Sequence, residues 1–413
     1  MPGAQVIRKE TLTGPWHRDF LFGPDYVSVE ALGSITFTRD ATGVLLPQPV
    51  TLLLAGPFHC AEPFHTGIWA RQDDAAAPLA DGTLPWIGHV FSEHDNIART
   101  DVDNYHRSNA HIRAVGFHRD AVTGIEHVFA GDAMGRIWSG VYDAAAPQKI
   151  SWNGTHENPG IDAARVMGFA EADGALYASI TPQRLGELRG GLYRRNDGPT
   201  PTWTQLWNWW VDDGDRAYPL RGLTGVPAPD GSARQVLIGG QEEPGQMQRF
   251  DPAPGVTTAA VELDYAAYFS NLWGSLGRNH PIAAFNDVLP VSDPLSSEPL
   301  CLIGMWVSDP GYHDPPHNGD HCLIRHADGI HYEWLRVFDY QRPIPAGEEF
   351  KGSRTLCVSP FAEDAGLAYY VGGFDTGSGP ISDTAWICRA IYPGRTVAPP
   401  YQPGSTIDKW RNY

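Results

Sequence analysis

Six times along this chain of 413 residues a unit recurs in which four short apolar runs are separated by turn residues, and such a repeat leaves few folds open. The second unit shows it best: Arg113-Ala-Val-Gly-Phe117, His127-Val-Phe-Ala-Gly131, Arg136-Ile-Trp-Ser-Gly-Val-Tyr142 and Lys149-Ile-Ser-Trp152. The third runs from Arg165-Val-Met-Gly-Phe169 through Ala175-Leu-Tyr-Ala178 and Gly191-Leu-Tyr-Arg194 to Trp203-Thr-Gln-Leu-Trp207. A fourth begins at Arg221, a fifth near Ile282 and a sixth at Arg354, and the first runs from Ile35 through Leu52-Leu-Leu-Ala-Gly56 to Ile68-Trp-Ala-Arg71. Short aromatic and β-branched runs punctuated by Gly, Pro and Asp read as strands and turns, and no long stretch has helical periodicity.

Four-strand repeats of roughly 40 to 60 residues point to an all-β fold, a β-propeller of six four-stranded blades. A seventh, degenerate blade has room between Gln72 and Asn109. The sixth unit lacks an evident fourth strand, whereas Gln5-Val-Ile-Arg-Lys-Glu-Thr-Leu12 reads as a strand without a blade, so the N-terminal strand is expected to close the ring. A ring that grows by blades accommodates this length as a single domain over 1–413.

Composition narrows the partners. A net charge of −18 disfavours nucleic acid and membrane surfaces, which are gripped by clustered Lys and Arg. No apolar run is long enough for a membrane span, and the first residues lack the core of a secretory signal. Five cysteines, an odd number, suit small core residues of a reduced, cytoplasmic protein. Phosphate-loop, dinucleotide-binding and nucleophile-elbow motifs are missing, so no nucleotide cofactor is expected.

In a propeller, the loops between second and third strands share a face with the crossings between blades. Those loops carry Phe58-His-Cys-Ala-Glu-Pro-Phe-His65, then Tyr105, His111, His156, Trp209, Tyr218, Trp273, His280 and Trp306, whereas the opposite loops are mostly Asp, Gly, Pro and Ala. Arg113, Arg165, Arg221 and Arg354 each begin an innermost strand, so pseudo-symmetry would gather them at the channel mouth. There they either bind an anion, as guanidinium groups do with carboxylates, or pair with acids of neighbouring blades. Eight of the sixteen histidines lie between His59 and His127, and five between His313 and His331. His313, His317 and His321 cannot share a helix because Pro315 and Pro316 intervene. An irregular loop would let them hold a divalent metal such as Mn, Zn, Fe or Ca.

Arginines, loop aromatics, histidines and tyrosines together fit chemistry on an acidic sugar. The expectation is a lyase that cleaves a uronic-acid-containing glycan or oligosaccharide by β-elimination, which requires a neutralised carboxylate and a placed base. His111, His156 or His280 with Tyr105 or Tyr218 are the candidate base and acid. Arg113, Arg165, Arg221 and Arg354 would hold the carboxylate, and Trp209, Trp273 and Trp306 would stack on sugar rings. The likeness to propeller-shaped polysaccharide and oligogalacturonate lyases is one of architecture alone. A metal-dependent oxidoreductase or isomerase and a non-catalytic glycan-binding propeller are the alternatives.

Overall fold

The computed structural model describes residues 17–21, 26–59, 64–72, 86–94, 111–159, 164–182, 191–208, 220–241, 246–252, 259–264, 282–292, 299–308, 319–325, 327, 332–336, 351–360, 368–375 and 384–391. Their strands form four-stranded antiparallel sheets in a propeller-like arrangement, six sheets among the described residues. After β1 (His17–Leu21), the first sheet holds β2 (Tyr26–Arg39), β3 (Leu45–His59), β4 (Phe64–Gln72) and β5 (Ile87–His94). The second holds β6 (Ile112–Arg119), β7 (Glu126–Asp132), β8 (Ile137–Tyr142) and β9 (Ile150–Trp152). The third holds β10 (Ala164–Ala172), β11 (Ala175–Pro182), β12 (Gly191–Asn196) and β13 (Thr202–Asn208). The fourth holds β14 (Leu220–Pro227), β15 (Gln235–Gln241), β16 (Gln246–Phe250) and β17 (Ala259–Asp264), and the fifth β18 (Ile282–Ser292), β19 (Pro299–Ser308), β20 (Gly319–Arg325) and β21 (Tyr332–Arg336). The sixth holds β22 (Lys351–Val358), β23 (Ala368–Asp375) and β24 (Thr384–Ile391), with β1 paired antiparallel to β24. Gln5–Leu12, expected to be the N-terminal strand, lies outside the described residues. The stretch between Gln72 and Asn109 supplies β5, the outer strand of the first sheet.

The apolar runs of the second strands are continuous because each sheet is covered on both faces. In β3, Leu52 and Leu54 pack with Ile112, Val128 and Ala130 of the second sheet. The alternate residues Leu53 and Ala55 pack with Cys357 and Tyr370 of the sixth. Phe129 and Ile137 likewise meet Val166, Phe169 and Leu176, and Tyr177 and Trp207 meet Leu223, Leu237 and Phe250. Cys301, Cys322, Cys357 and Cys388 all lie on strands, and Cys301 and Cys357 are buried. Among the described residues no helix is long and apolar enough to cross a membrane.

The innermost strands touch in series: β2 with β6, β6 with β10, β10 with β14, β14 with β18 and β18 with β22, and β2 also meets β22. Between them lies a cavity of about 50 Å³ lined by residues of all six strands, among them Glu30, Arg113, Met167, Gly222, Asp287 and Thr355. Every innermost strand bulges there, skipping one residue in its pairing: Glu30, Arg113, Met167, Gly222, Asn286 and Arg354. Gly222 takes φ +64°, and a Cβ there would stand 2.7 Å from the Val288 nitrogen, so only glycine fits this approach.

Candidate functional site

The bulges correct the expected arginine ring. Arg113 and Arg354 occupy the bulge position itself, but Arg165 precedes its bulge residue Met167 by two places and Arg221 precedes Gly222 by one. Arg165 and Arg221 therefore sit nearer the strand starts, at about 3.3 Å per residue, and the four do not form one level ring. Arg113 Nη1 lies 3.6 Å from Glu30 Oε2, both side chains being largely buried, so for this residue pairing with an acid of the neighbouring sheet is what the structure holds. Glu30 also accepts a 2.6 Å hydrogen bond from Ser28 Oγ. Arg221 is buried and Arg165 half-buried.

A second polar knot sits across the cavity. The Leu32 N–H donates to Thr355 Oγ1 (2.9 Å), whose hydroxyl donates to Asp287 Oδ2 (2.9 Å), and the Leu356 N–H donates to the same oxygen (2.8 Å). One carboxylate thus ties β2, β18 and β22. Burial pushes the Asp287 carboxyl up to about 6, against the pull of the donors from Leu356, Thr355 and Val288.

Three other arginines carry the strongest register relation in the molecule. Arg71 faces Leu53, which faces Ser34; Arg325 faces Cys301, which faces Pro290; and Arg195 follows Arg194, which faces Tyr177, placing it at the level of Leu176 and Glu171. Ser34, Glu171 and Pro290 each come four positions after the bulge residues Glu30, Met167 and Asn286. The third strands of the first, third and fifth sheets therefore carry a buried arginine at one equivalent position, and each reaches the preceding sheet. Arg71 lies over the Tyr370 ring (5.5 Å) and donates to its hydroxyl (3.0 Å). Arg195 lies over Phe129 (5.2 Å), and Arg325 donates to Glu262 Oε1 (2.6 Å).

Around Arg195 the seam between second and third sheets is a closed charge network. Its guanidinium reaches Asp120 Oδ2 (3.2 Å), Asp197 Oδ1 (2.8 Å) and Glu157 Oε1 (3.1 Å). His118 lies between Glu171 (3.2 Å) and Asp197 (3.0 Å). Burial works against the charged imidazole, yet hydrogen bonds to Glu171 and Asp197 win and raise its pKa. Asp120 is likewise penalised by burial but held well below the usual carboxylate range by N–H donors from Thr123, Gly198 and Val122 and by Arg195. His127, desolvated and beside the Arg195 charge, is pushed down to about 4. Asp173 accepts the Gln235 N–H (3.1 Å) and Asp251 pairs with Arg234 (2.7 Å), so these acids of the expected bland loops serve as ties.

The opposite edge of the first sheet has another character. At the β3–β4 end, His59 stacks on His65 (centroids 4.3 Å, planes 6° apart), and the Tyr26 ring stands edge-on to His59 at 4.8 Å. His65 Nε2 lies 3.6 Å from Glu93 Oε1, which is largely exposed. Tyr26 also packs with the cluster shared with the sixth sheet, so this group is turned toward β22. On the other face of β3, Phe58 stacks on His111 at 4.4 Å. His111, just before β6, is buried, and its carbonyl accepts the Ala133 N–H (3.0 Å). His156 is exposed, edge-on to Trp138 at 5.2 Å. The two described catalytic candidates thus stand against different rings.

Tyr105, Tyr218, His280, Trp209, Trp273, His313 and His317 lie outside the described residues. Trp306, His321 and Arg354 have described backbones on β19, β20 and β22. His321 pairs with Met305 and Arg336 in regular strand, which corrects its expected place on an irregular loop. Among the described residues no group of three or more His, Cys, Asp or Glu is arranged to hold a metal ion. The sequence reading named the Phe58–His65 loop but missed Tyr26, whose contact with His59 depends on pairing between β2 and β3.

No protein-family model and no curated protein matches the chain. Among solved structures it is similar to a protein of unknown function from Dyadobacter fermentans DSM 18053, with 10% sequence identity and a TM-score of 0.47, over 92% of this chain and 100% of that one.

Proposed function

We propose that the chain is a six-bladed β-propeller closed by β1, and that it is a lyase cleaving a uronic-acid-containing glycan or oligosaccharide by β-elimination at the edge formed by Tyr26, His59 and His65. The observation that carries this reading is the stacked imidazole pair with a phenol ring against it. It offers a proton acceptor and a proton donor at the face where the blade-to-blade crossings meet. A histidine takes the proton from the carbon next to the uronate carboxylate, the carbon–oxygen bond to the leaving sugar breaks, and the tyrosine hydroxyl returns a proton to that oxygen. The product is an unsaturated uronate at the new chain end.

Neutralising the carboxylate is assigned to Arg354, because β22 packs beside β2 and the Tyr26 side of the first sheet is turned toward it. Arg113, paired with Glu30, leaves that list; Arg165 and Arg221 stay on it at the strand starts. His111 and His156 stay candidate acid or base, and Tyr105, Tyr218, His280, Trp209 and Trp273, outside the described residues, and Trp306 on β19 stay candidate acid, base and stacking groups. His313, His317 and His321 remain candidate ligands for a divalent cation such as Mn, Zn, Fe or Ca, which would supply further charge neutralisation.

The test is absorbance of the unsaturated product during incubation with a panel of galacturonate, mannuronate, guluronate and glucuronate polymers, with and without divalent cations. At least one polymer is expected to react, with Tyr26→Phe and His59→Ala each lowering kcat by about 10²-fold or more. No product across the panel would overturn the lyase reading.

A further inference from the structure

In the turn from β7 to β8, Asp132-Ala-Met-Gly-Arg136, one arginine is held in place yet keeps part of its guanidinium unused. The buried Asp132 carboxylate accepts the Met134 and Arg136 N–H groups at Oδ1 (2.8 and 2.9 Å) and Arg136 Nε at Oδ2. Arg136 Nη2 donates across the seam to Thr66 Oγ1 on β4 (3.2 Å) and Ser92 Oγ on β5 (3.4 Å), and the guanidinium lies over the Trp138 ring (5.3 Å). Arg195, by contrast, meets acids on every side and is 2% exposed. Arg136 is 25% exposed, and among the described residues its Nη1 has no hydrogen-bond partner. Register brings a second donor beside it. Ile137 and Glu157 exchange backbone hydrogen bonds (3.1 and 2.8 Å), which sets His156 opposite Trp138 and diagonal to Arg136. The Glu157 side chain turns to Arg195 on the third-sheet side, so alternation puts His156 on the first-sheet side with Trp138 and Arg136. The exposed His156 ring stands edge-on to Trp138 at 5.2 Å, and its nitrogens make no hydrogen bond among the described residues.

We infer that Arg136 Nη1 and the His156 ring bind one oxyanion, the carboxylate of a small acidic sugar or inorganic sulfate, at the rim between the first and second sheets. Guanidinium groups recognise such anions through directed N–H donors, and this one is oriented before the anion arrives. Asp132, Thr66, Ser92 and Trp138 already fix its plane, so little side-chain freedom is lost on binding. A carboxylate that accepts a hydrogen bond of about 2.8 Å at each oxygen reaches from one donor to the other past the Trp138 ring. The neighbouring acid, Glu157, is engaged by Arg195 and does not compete for Nη1. Thr66 and Ser92, which anchor the arginine, pair next to His65 and Glu93 but face the second sheet. The site is thus separate from the Tyr26–His59–His65 edge, and the inference stands independently of the lyase reading.

The full chain is titrated calorimetrically with galacturonate, with galactose as its uncharged counterpart and with sodium sulfate, and crystals are soaked in galacturonate and in sulfate. Density for an anion is expected between Arg136 Nη1 and His156, and galactose should bind at least about tenfold more weakly than the tighter of the two anions. Galacturonate bound there in preference to sulfate assigns the site to an acidic sugar, and the reverse preference assigns it to an inorganic anion. Arg136→Gln and His156→Ala, the latter at an exposed position, are each expected to weaken anion binding about tenfold. Galactose binding as tightly as the anions, no anion at Arg136 in the soaked crystals, or no heat of binding in solution would overturn the inference. So would unchanged affinity in a variant that keeps its melting temperature. Binding that survives His156→Ala but is lost in His59→Ala would put the anion at the Tyr26 edge, which also overturns it. If Arg136→Gln does not fold, His156→Ala and the soaked wild-type crystals decide.

Discussion

The seam between the second and third sheets and the β3–β4 end of the first sheet are built from the same residue types and use them in opposite ways. At the seam, the buried His118 is clasped by Glu171 and Asp197, and the buried Arg195 by Asp120, Glu157 and Asp197, with Glu171 reaching in from solvent. At the edge, His59 and His65 lie on each other and against Tyr26, and Glu93 reaches from solvent toward His65. Saturated groups hold a structure in place. The stacked pair is graded instead, His59 buried and His65 half-buried beside the exposed Glu93.

The largest effect should follow from opening the seam. Arg195→Ala leaves Asp120, Asp197 and Glu157 without their cation, and removing one member of a buried set costs about 3–5 kcal/mol. Chemical denaturation should show that loss as a lower midpoint. A change below 1 kcal/mol would mean that the network is ornamental and would dissolve the contrast with the edge.

Asp287 tests the central tie through pH. Its folded-state pKa, about 6, exceeds the ordinary 3.8, so the native state holds the extra proton between those values. Wild-type stability should therefore fall as pH rises through that window and level off above it. Relative to Asp287→Asn, which has no proton to lose, the wild type should lose on the order of 2 kcal/mol between pH 4 and 6.5. A pH-independent difference between the two proteins would contradict the assignment.

His118 carries the opposite sign. With its pKa raised in the folded state, its stabilisation is complete below the ordinary histidine value of 6.5 and is lost as pH rises through the folded-state value. His118→Gln should cost about 1–2 kcal/mol in mildly acidic buffer and less in alkaline buffer. The same titration on melting curves would sharpen the comparison if the gap closes upward in pH, and would break it if the gap widens.

The smallest stability change is expected at the edge. Tyr26→Phe removes one hydroxyl from a half-buried ring and should shift unfolding by about 0.5 kcal/mol or less. A loss of several kcal/mol would make Tyr26 a packing residue like Tyr370.

Much of this architecture was legible before any coordinates. The apolar runs became strands almost residue for residue, because Val, Ile, Leu and aromatic runs between Gly, Pro and Asp have little else to form when both faces of a sheet are covered. What stayed hidden is register. Arg113-Ala-Val-Gly-Phe117 and Arg165-Val-Met-Gly-Phe169 share Arg, Gly and Phe at the same spacing, yet the bulges fall at Arg113 and Met167, which offsets the two arginines by two places. Apart from Gly222, whose positive φ calls for glycine, these bulge residues share no residue type that marks them. The buried arginines were visible as the charged ends of Ile68-Trp-Ala-Arg71 and His321-Cys-Leu-Ile-Arg325, but their burial depends on a partner more than fifty residues away in Glu262 or nearly three hundred in Tyr370. The pairing strand beside β24 is His17-Arg-Asp-Phe-Leu21, whose charged pair makes it a weaker strand signal than Gln5–Leu12.

The most direct test of the contrast is to measure unfolding and uronate turnover side by side for His118→Gln and His59→Gln. The account predicts that His118→Gln lowers the melting temperature while turnover per folded molecule is kept, and that His59→Gln abolishes turnover with little change in melting temperature. The reverse pattern, or equal loss of stability in both with turnover intact, would contradict it.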